Sequence, residues 1–176
     1  MEVHKIGSSA YSTKSIAIIG LLSSMAAVSR IFFSFIPSVN PASFIIIITG
    51  VVLGGNYGFM TGALCAILSN IILGQGPWTI FQIVCWGLMG LTADWCGKVS
   101  HRNITMLSVF GLVWGFVFGW VMNLWYVIGD FNWVTYLSAC ISSFSFDLAH
   151  GVTNVILMGV LGNQCMKILE RNKGKM

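Results

Sequence analysis

The sequence predicts an all-α polytopic membrane protein, a bundle of six transmembrane helices with both termini on the cytoplasmic side. Three observations carry this reading. Of the 176 residues, 56% are hydrophobic and 8% charged, and the mean hydropathy is +0.85, which is more apolar surface than a soluble domain of this length can bury. The apolar residues gather into stretches near the roughly 20 residues that cross a hydrocarbon core, each closed by Gly, Pro, Asn or charge. The basic residues then fall almost entirely on one side of those stretches.

The first span runs from Ser15 to Ile36. A basic segment precedes it, as in a signal peptide, but the apolar run continues through "MAAVSR" into "IFFSF" without a cleavage site, so it reads as a retained helix. The second span, Ala42 to Gly54, is short for a full crossing; the third covers Tyr57 to Leu73. Pro77 opens the fourth, which ends near Trp95, because proline in the first turn loses no helical hydrogen bond. The fifth covers Ile104 to Ile128 and the sixth Phe146 to Ile168. Between these two, "GDFNWVTYLSACISSFS" is too amphipathic to be left unstructured and too polar to span, and a short interfacial helix is expected there. The whole chain, residues 1–176, reads as one transmembrane domain.

Basic residues near span ends are retained in the cytoplasm. With the N-terminus inside, Lys5, Lys14, Lys98, Arg102, Lys167, Arg171, Lys173 and Lys175 are cytoplasmic and Arg30 alone lies toward the outside, 8 against 1. The net charge of +4 therefore reports topology and contact with anionic lipid rather than nucleic-acid binding. Cysteines 65, 85, 96, 140 and 165 have no paired spacing and read as small core residues, not as disulfides or metal ligands. No GxxxxGK[ST], HExxH, CxxC or GxSxG occurs, and the histidines stand apart at 4, 101 and 150, so the chain is not expected to hydrolyse ATP or to bind a catalytic cofactor or metal. Inverted repeats of the kind seen in secondary transporters are not evident.

Glycine recurs at four-residue steps, at 50, 54, 58 and 62 and at 111, 115 and 119. That spacing permits close helix approach, either within the bundle or against a partner protein. In the first span Gly20, Ser23, Ser24 and Ala27 form a similar strip of small residues, a candidate docking face. The stretch "GQGPWTIFQIVCWG" carries a second signal. Gln75 lies at the mouth of the fourth helix, while Trp78, Gln82 and Trp86 follow at four-residue steps on one face. A rise of 1.5 Å per residue places Trp86 about 14 Å below the helix start, too deep for an interfacial tryptophan belt. Gln82 lies at half that depth, where an unpaired amide is costly. The stripe is expected to line a cavity. Asp147, His150 and Asn154 form a second polar face on the sixth span, with Trp120, Asn123, Arg30 and Asn40 completing the wall of an outward-facing pocket. Local alternatives stand beside these: an Asp147 to His150 hydrogen bond at a helix start, or Arg30 extended to the headgroups. Asp94 and Lys98 read as an interfacial i, i+4 pair.

Taken together, "AAVSRIFFSFIPSVNPASFIIIITGVVLGGNYGFMTGALCAILSN", "GQGPWTIFQIVCWGLMGLTADWCGK" and "FDLAHGVTN" resemble the substrate-binding S components of energy-coupling-factor (ECF) vitamin transporters. The resemblance covers nearly the whole chain and is most specific at GQGPWT with Gln82 and Trp86. It implies a bacterial plasma-membrane protein that binds a vitamin or cofactor precursor from outside. Its implied partners are a transmembrane coupling protein and two cytoplasmic ATPases, which alone use ATP. It implies docking through an AxxxA pattern in the first helix, where this chain has Ser23 and Ala27, and gating by residues 37–42. Chains with the GQGPWT arrangement resemble members assigned to cobalamin or its precursors, while neighbouring groups are linked to queuosine precursors, riboflavin, folate and pantothenate. Against this stand two other readings: an intramembrane enzyme using Asp147 and His150 as base and orienter, and a scaffold or self-sufficient small carrier.

Overall fold

A computed structural model describes residues 12–173, which fold into six α-helices. They are α1 (Thr13–Phe32), α2 (Pro41–Leu53), α3 (Gly55–Leu73), α4 (Trp78–Val99), α5 (Ile104–Asn123) and α6 (Trp133–Lys173), with a 3-10 turn at Leu124–Val127 after α5. Five helical segments are long and apolar enough to cross a membrane; α2, at 13 residues, is shorter. Lys5 and Lys175 of the charge count lie outside the described residues, as do both termini.

Asparagine begins three of the helices. Asn40 Oδ1 accepts from Ala42 N at 3.2 Å with Pro41 at the first helical position, Asn103 caps Thr105 and Met106, and Asn132 caps Val134 at 2.8 Å. Each cap gives a short acceptor to N–H groups that the helix itself leaves unpaired.

The short helix α2 is the centre of the molecule. It packs against α1, α3, α4 and α6, and eleven of its 13 residues are buried. Its run Ile45 to Ile48 would favour a strand on propensity alone. Helix wins because an apolar surround offers no partner for backbone groups, so a segment must satisfy them internally.

Backbone contact holds α2, α3 and α4 together. A Cβ added at Gly58 would sit 2.8 Å from both Gly50 Cα and the carbonyl carbon of Gly90, so only glycine admits this crossing. The series at 50, 54, 58 and 62 is divided between α2 and α3. Gly54, at φ 116°, breaks the chain between α2 and α3, and Gly50 and Gly58 meet by that reversal. The series in α5 does form one face, with Gly111, Gly115 and Gly119 against Asn154, Gly151 and Asp147 of α6.

The last helix corrects the sequence reading. No separate interfacial helix precedes a span at 146–168; α6 is continuous for 41 residues, about 60 Å at 1.5 Å per residue. Between Asp130 and Gly151 the chain contains neither proline nor glycine, so nothing stops a helix once Asn132 has capped it. The serines that make the segment too polar to span on sequence alone turn hydroxyls onto the helix itself, Ser142 to the Ser138 carbonyl at 2.8 Å.

The two ends of the bundle differ. At one, Arg102 pairs with Glu170, Lys98 lies 2.8 Å from Asp94, and Lys173 donates to the Val52 carbonyl at 2.7 Å. At the other, where α1 turns into α2 and α3 into α4, the polar groups are mostly uncharged and lie inside the bundle.

Candidate functional site

Arg30, near the end of α1, turns into the bundle rather than outward. Its Nη1 donates to Ser69 Oγ at 2.5 Å and Asn70 Oδ1 at 2.7 Å, and its Cζ stands 4.8 Å from the Trp86 ring centre. Two acceptors on Nη1 and an aromatic face hold the cation in place. Asn70 Nδ2 in turn donates to Gln82 Oε1 at 2.7 Å and Thr79 Oγ1 at 2.9 Å, and Thr79 donates to Gln75 Oε1 at 3.0 Å. Gln75 closes the chain by donating to the Ile67 carbonyl at 3.1 Å.

This network corrects the expected stripe. Gln82 ties α4 to α3 and Gln75 fastens the turn between them. Trp86 has no exposed surface and is wedged between Arg30 and Phe118, whose ring lies 5.0 Å away. Trp78 rests half-buried on Trp125 at 6.2 Å. Gln82, costly to bury unpaired, has its partner in Asn70, and none of Gln75, Trp78, Gln82 and Trp86 lines the nearby cleft or recess.

The void lies beside them. A cleft of about 220 Å³ opens between the α1–α2 connection, α5 and α6, lined by Ser38, Asn40, Phe118, Asn123, Asp147 and His150 among others. His150 Nε2 is 2.7 Å from Ser43 Oγ, and Trp86 Nε1 donates to the same oxygen at 3.0 Å. An indole N–H can only donate, so Ser43 accepts from Trp86. With a second lone pair and its own proton, the hydroxyl either accepts from Nε2 or donates to it, according to the imidazole tautomer. Phe118 meets the His150 ring edge-on at 5.3 Å. One turn earlier Asp147 Oδ2 accepts from Ser143 Oγ at 2.9 Å, and Asn123 Nδ2 donates to that hydroxyl at 2.9 Å. Asp147 and His150 are each 5% exposed and bond to different partners, so they are not coupled as a base and its orienter.

Two expected wall residues stand elsewhere. Trp120 is 48% exposed and points away from the cleft, since the α5 face turned to α6 is its glycine face. Asn154 is fully buried deeper in the bundle and donates to the Gly111 carbonyl at 3.0 Å.

A second recess of about 200 Å³, lined by Arg30, Phe33, Val39 and Leu73, shares Ser38 and Asn40 with the cleft. The α1–α2 connection thus runs between the two, and Ser38 holds φ 61° there, a left-handed conformation that non-glycine residues adopt at a cost. On α1, the strip of small residues divides. Gly20 and Ser24 are exposed, whereas Ser23 and Ala27 are buried within the bundle, where Ser23 bonds its own helix at the Ile19 carbonyl. Four-residue spacing put the pairs on neighbouring faces, and the chain itself covers one of them.

Sequence reasoning missed Ser43, Ser69, Asn70 and Phe118. The available signal was polarity inside apolar runs: Ser43 precedes "FIIII", and Ser69 and Asn70 interrupt the end of α3. Phe118 carried no signal among 12 phenylalanines.

Residues 10–171 match the family model of the ECF-type riboflavin transporter S component. The chain belongs to this family. No curated protein and no solved structure matches it. An S component is the substrate-binding subunit of a transporter and not an enzyme, which removes the intramembrane-enzyme reading. The match supports the S-component assignment without supporting the cobalamin-type subgroup.

Proposed function

We propose that this S component captures a planar vitamin or vitamin precursor from the outside of the bacterial cell membrane and delivers it through an ECF module. The family match over residues 10–171 carries this reading. What supports the location is the cleft, the place in the bundle where an aromatic wall, Phe118, stands against convergent polar groups from Asn40, Asn123, Asp147 and His150. With the positively charged end inside the cell, that cleft faces outward.

The size of the ligand bears on its identity. Drug-sized ligands occupy pockets of about 300–1,000 Å³, and the cleft and the Arg30 recess are each smaller than this. They meet at Ser38 and Asn40, so a shift of residues 33–40 would join them into a single space on the scale of a tricyclic heterocycle. Riboflavin, the ligand in the family's name, suits such a space. A corrinoid is far larger, and cobalamin is not carried forward. The exposed strip of α1 around Gly20 and Ser24, rather than Ser23 and Ala27, is the proposed contact with the transmembrane coupling protein, and the cytoplasmic ATPases supply the energy.

Purified chain in detergent, titrated calorimetrically with riboflavin and the other vitamins, should take up one ligand per chain at nanomolar concentration. Mass spectrometry of the purified protein should find the same compound retained. A panel in which no vitamin binds overturns the reading. Uptake by vesicles holding this chain alone would replace it with that of a self-sufficient carrier.

A further inference from the structure

Asp147 is the only acidic side chain buried among the described residues. It is 5% exposed and takes one hydrogen bond, from Ser143 to Oδ2, while Oδ1 accepts none from any described residue. No cation pairs with it: the two ion pairs among the described residues are Asp94 with Lys98 and Arg102 with Glu170. Arg30 is held by Ser69, Asn70 and Trp86, and Lys167 lies twenty residues along α6, about 30 Å away. The neighbouring groups in the cleft from Asn40, Asn123 and Ser143 are uncharged, and His150 bonds Ser43 and makes no ion pair with Asp147.

The fold nevertheless makes room for this carboxylate. A Cβ at Gly119 would overlap the Asp147 side chain, with even Oδ2 only 2.7 Å away, so the glycine face of α5 is cut to admit it. Asp147 Oδ1 is not among the enclosed unpartnered atoms, and a carboxylate with one hydrogen bond has acceptor capacity left for a donor or a positive charge. The open side of the group is the cleft.

We infer that the ligand meets Asp147 with an electropositive ring nitrogen, a free N–H or a cationic centre, so that the site selects nitrogen heterocycles and excludes vitamins whose recognition group is a carboxylate. This rests on the reading of the cleft as the vitamin site and goes beyond it by naming the group recognised. Charge-assisted hydrogen bonds are roughly twice as strong as neutral ones, whereas an anion brought to the same place would face an uncompensated like charge.

The test uses the full chain and four probes: riboflavin, which is neutral with an imide N–H; thiamine, a cation; and the anions biotin and pantothenate. Wild type should bind riboflavin or thiamine most tightly, and Asp147→Asn should weaken that ligand at least tenfold. If the ligand is riboflavin, wild type should reject its imide N-methyl derivative at least tenfold, and Asp147→Ala should abolish the discrimination. Gly119→Ala, which pushes the carboxylate aside without touching its charge, should also weaken binding. An anion as the tightest ligand, or equal affinity in wild type and Asp147→Asn, overturns the inference while leaving the S-component reading intact. Wild type that binds none of the vitamins overturns both.

Discussion

Arg30 shows how one side chain can organise a region while lining one edge of its proposed ligand space. A guanidinium is planar, so it can aim one nitrogen at Ser69 and Asn70 while its face lies over Trp86. Lysine can do one or the other. Arg30→Lys should therefore lower stability by about 2 kcal/mol, the worth of a charge-assisted hydrogen bond and a partly desolvated cation–π contact. A fall in the unfolding temperature of the detergent-solubilised protein is the measurement, and an unchanged transition would show that the network is decorative. At this scale the sequence reveals which polar residues are anomalous but not which are already satisfied. Gln82 and Asp147 are both costly in an apolar helix; Asn70, twelve positions away, satisfies Gln82, while Asp147 keeps an unused oxygen. Pairings of that kind depend on the rotation of each helix about its axis, which hydropathy does not encode.

Among the elements, α3 and α4 show what the glycines are for. Their backbones touch at Gly58 and Gly90, and α2 enters the same contact at Gly50. A methyl group added there meets backbone, which cannot step aside as a side-chain tip can. Gly90→Ala should cost about 1–3 kcal/mol, the range for overpacking a tight interior, and should also loosen the hydrogen bonds from Asn70 to Gln82 and Thr79 that span the same two helices. Thermal unfolding in detergent tests the first expectation, and a parallel loss of vitamin affinity tests the second. Five of the helices were legible from composition and the breaks between them. The length of α6 was not, because the polarity of residues 129–145 reads as a separate interfacial helix, whereas the segment after Asn132 contains no residue able to break the helix before Gly151. Serine lowers helix propensity only modestly when its hydroxyl can fold back on the carbonyl four residues earlier.

For the whole molecule, the arrangement separates two surfaces. The cleft opens between the α1–α2 connection, α5 and α6, whereas the exposed small-residue strip belongs to α1, which packs against α2 and α3. Capture and docking can then be uncoupled by mutation. Spacing alone could not tell which face of α1 stays free, since Gly20, Ser23, Ser24 and Ala27 form two overlapping four-residue pairs and only the packing of α2 and α3 decides between them. Ser24→Trp places a bulky ring on the exposed side, where nothing in the chain itself is displaced, so vitamin affinity should stay within about twofold of wild type and unfolding temperature should hold. If the coupling protein packs on that strip, its backbone approach depends on small residues, and the same variant should lose co-purification with the ECF module and fall to background vitamin uptake in reconstituted vesicles. Ser23→Ala, inside the bundle, keeps the small size and removes only a hydroxyl that bonds its own helix, so docking should survive it. The opposite pattern, with Ser24→Trp transporting normally, would move the docking surface to another face of the bundle and leave the cleft as the only functional surface on which the reading stands.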